Sequence, residues 1–392
     1  MDDTLAPQAP DALGTDRLRA SGSGWAYPSA RRAREAPGTD PSCCPPDDAE
    51  TGGGFMPRRE FLARLSQFGL AAAGLVWLTD RPAAAQGRRR VRLAFCSQLL
   101  CIVPYEVARR QGYYAEAGLD VELVYFRGGT AAMQALVGGA VDYAATSFDV
   151  ALAAAGRGAD IVRFFTTGRL PLFALAVAPQ AAEAVRTLPD LRGRTVGVSA
   201  LGNADHLLAV YLLRRAGVPP VSVQFAVLGP NLFEALRAGH VDAGMVQEPA
   251  ATLLERGGGR VLVNLMDLAQ ARRYLGGPYE FMGVAVRGAD WQDRQAEMRA
   301  LAQALGRALR FIHYGTPRLV IEALPGELIA GGDRALLEQV LARHRKSLYP
   351  QDGRLDLDAA RRVVTVQQQA GQPVTADLAR LLNPAIAGAT GR

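Results

Sequence analysis

One stretch of this chain is nearly written twice. Ala135-Leu136-Val137-Gly138-Gly139-Ala140-Val141-Asp142 returns as Ala235-Leu236-Arg237-Ala238-Gly239-His240-Val241-Asp242, an offset of 100 residues. The match sits inside a longer parallel. From 91 to 165 the apolar periodicity predicts strand Val91–Cys96, helix Ile102–Gln111, strand Asp120–Phe126, helix Thr130–Val137, strand Val141–Ala145, helix Asp149–Ala155 and strand Ile161–Thr166. From 194 to 265 the same order is predicted: Thr195–Val198, helix Asp205–Ala216, Val221–Val227, helix Leu232–Ala238, Val241–Val246, helix Pro249–Leu254 and strand Arg260–Asn264. Strands alternating with helices build parallel sheets covered by helices. Gly139 and Gly239 each end a helix, where a positive φ is often needed. Asp142 and Asp242 are expected in the short strand that follows. The period far exceeds solenoid spacing, so the expectation is an α/β fold of two similar lobes, each a mainly parallel sheet with flanking helices.

Two strongly apolar segments lie outside the repeats, Leu172–Ala178 between them and Phe281–Val286 after the second. They fit two crossover strands joining the lobes. The tail reads as helices over Gln295–Tyr314, Pro317–Leu324, Asp333–Leu348 and Leu357–Gln369, expected to cap the first lobe. The division this gives is 91–173 plus 282–392 for the first lobe and 174–281 for the second. Two lobes on two strands form a hinge, with the natural ligand site in the cleft between them.

The first 85 residues stand apart. Residues 1–55 are rich in Pro, Gly, Asp, Arg and Ser without hydrophobic period, and read as a disordered extension. Met56 then opens a segment with Arg58-Arg59-Glu60-Phe61-Leu62, an uncharged run Leu65–Thr79 and Ala83-Ala84-Ala85. That run is shorter than the roughly 18 residues a spanning helix needs. Paired arginines, a short apolar stretch and an Ala-x-Ala site over 56–85 read as a twin-arginine (Tat) export signal, with Met56 as the expected true start.

Composition excludes several chemistries. Lys346 is the only lysine, and Arg343-His344-Arg345 before it is no phosphate-binding loop. The histidines, His206, His240, His313 and His344, have no metal-ligand spacing. GxSxG, GxGxxG and CxxC are absent, so neither cofactor nor metal is expected. The formal charge of +6 is spread without a basic stripe, which speaks against nucleic acid. Cys96 and Cys101 are expected as buried free thiols; an oxidising compartment would permit a disulfide instead.

Gly112-Tyr113-Tyr114-Ala115-Glu116-Ala117-Gly118-Leu119-Asp120-Val121 resembles a signature of the NitT/TauT group of substrate-binding proteins, as do Gly139-Ala140-Val141-Asp142 and Gln247-Glu248-Pro249. That group includes nitrate, taurine and sulfonate binders and the related NMT1/THI5-like pyrimidine binders. Over about residues 91–350 the resemblance implies a two-lobe periplasmic binding protein of type II. Such a protein is a monomer that delivers a small-molecule ligand to the permease of an ABC transporter, meeting the membrane only through that permease. The chain departs from the group in having Gln247 where an aromatic often precedes the Glu-Pro pair. It also has Ser97-Gln98-Leu99-Leu100 where pyrimidine binders tend to carry a Trp-Pro or Asn-rich segment. An enzyme or a ligand sensor on the same fold is the alternative; against the enzyme, the cleft loops offer no nucleophile–base pair.

In parallel α/β sheets ligands bind beyond the carboxyl ends of the strands, where helix N-termini favour anions. The candidates after the first-lobe strands are Ser97 and Gln98, then Arg127, Gly129 and Thr130, then Thr146 and Ser147, then Thr167 and Arg169. Thr130 is expected to cap its helix. In the second lobe they are Ser199, Gly202 and Asn203, then Asn231, then Gln247 and Glu248. Arg127 and Arg169 could pair with a carboxylate or sulfonate. Asp205 could meet an amine. The expected ligand is a small organic anion, with a neutral heterocycle stacked on Tyr105 or Phe148 as the alternative.

Overall fold

A computed structural model describes residues 88–96, 99–126, 128–329 and 333–388. The expected extension at 1–55, the export signal at 56–85, and Ser97, Gln98 and Arg127 lie outside the described residues. The chain opens with β1 (Arg89–Cys96), α1 (Leu99–Arg110), α2 (Tyr113–Glu116), β2 (Leu119–Phe126), α3 (Gly129–Val137), β3 (Tyr143–Ser147), α4 (Phe148–Gly156) and β4 (Ile161–Gly168). There follow β5 (Ala174–Val177), β6 (Thr195–Val198), α5 (Ala204–Arg215), β7 (Gln224–Val227), α6 (Leu232–Arg237), β8 (Ala243–Val246), α7 (Ala250–Arg256), β9 (Arg260–Asn264) and α8 (Leu268–Leu275). After β10 (Met282–Arg287) come α9 (Gln295–Tyr314), α10 (Pro317–Glu322), α11 (Gly326–Ile329), α12 (Arg334–Leu348), α13 (Leu357–Gln369), α14 (Leu378–Leu381) and α15 (Ala385–Gly388).

These strands form two sheets of five, ordered β2-β1-β3-β10-β4 and β7-β6-β8-β5-β9. In the first, β1 runs parallel to β2 and β3, while β10 is antiparallel to β3 and β4. In the second, β6 runs parallel to β7 and β8, while β5 is antiparallel to β8 and β9. Each sheet thus takes its one reversed strand from an apolar crossover segment, at the equivalent place. Both are buried, β5 throughout and β10 from Met282 to Val286, as befits strands covered on both faces. The first sheet is complete only when the chain returns from the second.

The repeated octapeptide has a definite structural job. Gly139 and Gly239 end their helices at φ 77° and 75°, a region costly for other residues. Asp142 and Asp242 fall in the turn just before β3 and β8, not within those strands as the pattern suggested. From the turn each carboxylate reaches back to a neighbouring strand. Asp142 Oδ2 accepts from the Arg92 amide at 2.7 Å and the Asp142 amide donates to the Arg92 carbonyl at 3.0 Å. Asp242 does the same to Thr195, at 2.8 and 3.0 Å. Asp142 also meets Arg294 at 3.1 Å. Losing a hydrogen bond to a charged group costs roughly 1.5–3 kcal/mol, so Asp142→Ala is expected to lower stability by about 2 kcal/mol in chemical denaturation. A loss below about 0.5 kcal/mol would remove the staple from the account of the repeat.

Two other expectations shift for local reasons. β7 begins at Gln224, not Val221, because Pro220–Ser222 form a 3-10 turn, and Pro220 has no N–H to give a ladder. Gly128, not Thr130, is the N-cap of α3, and Thr130 lies exposed in its first turn.

Of the C-terminal helices, α9 packs on α1, α2 and both β2 and β4 of the first sheet, and α12 packs on α9 and α10. α13 meets α5 beside the second sheet as well as α4 beside the first. No helix among the described residues is long and apolar enough to cross a membrane.

Candidate functional site

The described candidates all stand at or just beyond the carboxyl ends of parallel strands, and they divide by what their side chains already do. At β4, the Thr167 hydroxyl is 2.8 Å from the Tyr105 hydroxyl, and both residues are buried. The Arg169 guanidinium donates to the Ser347 and Lys346 carbonyls at 3.0 and 2.7 Å, closing the last turn of α12 where carbonyls lack helical partners. Thr146 is buried one residue before the end of β3.

In the second lobe, Asp205 closes the loop that leads into its own helix. Its carboxylate accepts from the Ser199 amide at 2.5 Å and the Ser199 hydroxyl at 2.8 Å. Asn203 donates to that hydroxyl at 3.0 Å, and Gly202, at φ 81°, donates its amide to His206 Nδ1 at 3.1 Å. Burial pushes the Asp205 carboxyl above its ordinary range, against the bonds from Ser199. Ser199, Asn203 and Asp205 therefore satisfy one another. Glu248 is also buried and engaged, by Thr252 and by His344 at 3.2 Å; Gln247 beside it is half-buried.

The helices α3, α4, α5 and α6 start at Gly128, Ser147, Asn203 and Asn231 with no side-chain cap hydrogen bond. Asp149, Asp205 and Glu234 stand in the first turns of the last three, and α3 has no acidic residue there. Gly128 has φ −166°, an ordinary extended conformation, and a Cβ there would meet nothing within 4 Å. Gly129 likewise needs no special φ; beside it lie Val150 and Thr146 at ordinary contact distance. Gly128 thus leaves uncovered space over the start of a nine-residue helix, whose first N–H groups and dipole favour an anion.

The two aromatic residues suggested as stacking platforms have no face to offer. Tyr105 stacks on Phe95 with centroids 5.0 Å apart, and Phe148 carries the Arg163 guanidinium at 5.3 Å; both rings are fully buried.

Sequence reasoning passed over a buried polar network where the chain leaves and re-enters the first sheet. Arg163 Nη2 lies 3.0 Å from Glu280 Oε1, which also accepts from the Thr166 hydroxyl at 2.6 Å. Asp149, buried nearby, accepts from Tyr279 and Gln367 at 3.2 and 3.0 Å. Burial raises the Asp149 and Glu280 carboxyls. The available signal was a charge in or beside an apolar run, Arg163 within 161–166 and Glu280 just before 281–286. A cavity of about 600 Å³ opens here, bounded by Thr166, Arg169, Pro278, Glu280 and residues 350–361. It lies beside β4, and none of its lining residues belongs to the starts of α3, α4 or α6. Among the described residues no group of three or more His, Cys, Asp and Glu could hold a metal ion.

The family model described as "NMT1/THI5 like" matches residues 101–313. No curated protein matches the chain. Among solved structures, a protein of Bordetella bronchiseptica RB50 is 24% identical with a TM-score of 0.68, covering 78% of this chain and 97% of its own. The periplasmic aliphatic sulphonate binding protein SsuA from Escherichia coli is 20% identical with a TM-score of 0.59, covering 76% and 92%. A desulfurization enzyme, DSZB, is 17% identical with a TM-score of 0.55, covering 77% and 99%. At these identities the likeness is one of fold.

Proposed function

The chain belongs to the NMT1/THI5-like family, and on that premise we propose that it is an exported solute-binding protein of an ABC import system. Its fold is that of periplasmic binding proteins. In this reading the 56–85 segment directs export by the Tat route, and the mature protein works in the periplasm as a monomer. It holds a small organic anion, of sulfonate, carboxylate or nitrate type, between two lobes divided at about 173 and 281, and hands it to a permease. The sulfonate ligand of the E. coli neighbour supports the ligand class.

The observation that carries the reading is the contrast between helix starts. The starts of α4, α5 and α6 carry Asp149, Asp205 and Glu234 in their first turns, whereas that of α3 has no acidic residue there and no side-chain cap. The anion's charge is therefore assigned to the first lobe, at Gly129 and Thr130, with Arg127 beside them in sequence and Ser147 at the next helix start. Asn231, Gly202 and Gln247 are the facing groups of the second lobe. Thr146, Thr167, Arg169, Ser199, Asn203 and Glu248 act by shaping these loops, and Ser97 and Gln98 complete the set after β1.

The test is a thermal-shift and calorimetric screen of the full chain against alkanesulfonates, nitrate, carboxylates and aminopyrimidines. A ligand at 100 times its dissociation constant adds about 2.7 kcal/mol of stability. Gly128→Asp is the discriminating variant. Asp is a favoured N-cap, so the fold should hold, while a carboxylate at the α3 start should weaken an anion at least tenfold. Shifts by heterocycles alone would remove the anion reading, and anion binding unchanged in Gly128→Asp would remove its assignment to the α3 start. Because an enzyme shares the fold, recovery of the ligand unaltered separates binding from turnover.

A further inference from the structure

Three sulfur atoms from three separate elements meet at the cleft-facing end of the first sheet. Cys96 is the last residue of β1, Cys101 lies in the first turn of α1, and Met282 is the first residue of β10. The Cys101 thiol donates to the Met282 thioether at 3.9 Å and shares a hydrogen bond with Cys96. All three are buried, at 6%, 2% and 3% exposure. The nearby oxygens are committed elsewhere, the Tyr105 hydroxyl to Thr167 and the Tyr349 hydroxyl to the Leu100 carbonyl.

Thiolate and thioether sulfurs together, without imidazole or carboxylate, are soft ligands that suit copper(I) or zinc and disfavour hard ions such as magnesium and calcium. Spacing agrees. With metal–sulfur bonds of about 2.3 Å, a trigonal centre holds its sulfurs about 4 Å apart, and Cys101 and Met282 are already 3.9 Å apart. A structural zinc site would call for four ligands. We propose that Cys96, Cys101 and Met282 form a three-sulfur site for a soft monovalent cation, copper(I) in the cell, which ties β1, α1 and β10 together. Met282 pairs in register with Ser147 and Cys96 precedes Ser97, so the site adjoins the solute loops, but it shares no residue with them and its test does not depend on that assignment. A thiol that ligates as thiolate releases its proton to solvent; the metal stays copper(I) and no electron moves.

The experiment uses the full chain carrying Cys43→Ser and Cys44→Ser, so that the upstream thiols do not compete. Under anaerobic, reducing conditions it is titrated with copper(I) against a chromophoric copper(I) chelator. One equivalent should be retained, with only sulfur in the first coordination shell by X-ray absorption. Cys96→Ala with Cys101→Ala should abolish retention. Met282→Leu, which conserves volume, should weaken it at least tenfold while the metal-free melting temperature stays close to that of the parent. Failure to retain copper against the chelator, equal retention in the double alanine variant, or a nitrogen or oxygen shell would each overturn the site. So would a thiol titration of the unfolded, unreduced protein that finds Cys96 and Cys101 already joined as a disulfide.

Discussion

Arg163→Ala should remove about 3–5 kcal/mol of stability, the range expected when one partner of a buried ion pair is deleted. The guanidinium is fully buried. It donates to Glu280 Oε1 at 3.0 Å, to the Phe281 carbonyl at 2.9 Å and to the Thr146 carbonyl at 3.1 Å. It therefore joins β4, the end of β3 and the approach to β10, three adjacent strands of the first sheet. Room for it comes from Gly283, where a Cβ would fall 2.5 Å from Nη2. Deletion leaves Glu280 buried with Thr166 as its nearest donor. Burial already raises the Glu280 carboxyl, with Arg163 and Thr166 working against that rise. A raised carboxyl contributes stability that is present below its unfolded pKa and lost as pH rises through the folded value. Without Arg163 the rise grows, so the deficit should be larger at pH 8 than at pH 5. Guanidinium chloride melts at the two pH values test both statements. A deficit under about 1 kcal/mol, or one equal at both, would mean that solvent relaxes into the site.

How much of this was legible depends on the range of the interaction. The repeat was visible because its parts act locally: a glycine at positive φ ends a helix, and an Asp three residues later turns the chain into a strand. The βα alternation pointed to mainly parallel sheets and two crossover strands, though not to the order of strands within each sheet. The α12 start was equally readable, with Asp333 accepting from the Leu336 amide at 3.1 Å. What the sequence could not supply were partners far along the chain. Arg163 and Glu280 are 117 residues apart, and Arg169 reaches the end of α12 across 177. Arg169 in a loop after a strand looked like an anion ligand; folded, its donors go to helix carbonyls. Ser199, Asn203 and Asp205 in a loop before a helix suggest groups for a solute; in the fold they also hydrogen-bond one another, as short polar side chains in loops tend to do. Tyr105 and Phe148 looked available because an aromatic's burial depends on helices that periodicity cannot position.

The second large effect is expected at Glu248, where the second lobe meets α12. Its carboxylate accepts from the Thr252 amide at 3.1 Å, the Thr252 hydroxyl at 3.0 Å and His344 Nε2 at 3.2 Å. The same helix end is held to the loop after β9 by the Ser347 hydroxyl on the Met266 carbonyl at 2.8 Å, and to the loop after β4 by Arg169. The last turns of α12 thus tie together loops from both sheets. Burial opposes ionisation of Glu248, yet the bonds from His344 and Thr252 hold its carboxyl below the ordinary range. A lowered carboxyl contributes stability that is present above its unfolded pKa of about 4.3 and lost as pH falls through the folded value. Glu248→Ala leaves His344 buried without its partner, and its Nδ1 has none to replace it. The loss at pH 7 should be about 3 kcal/mol, and the gap to the parent should narrow below about pH 4 as the parent's own carboxylate protonates. Because the tie joins loops of both sheets, the ligand-free variant should also show a larger radius of gyration than the parent by small-angle scattering. A variant that loses stability but keeps the parent's scattering curve would mean that α12 supports the second lobe without holding the two sheets together.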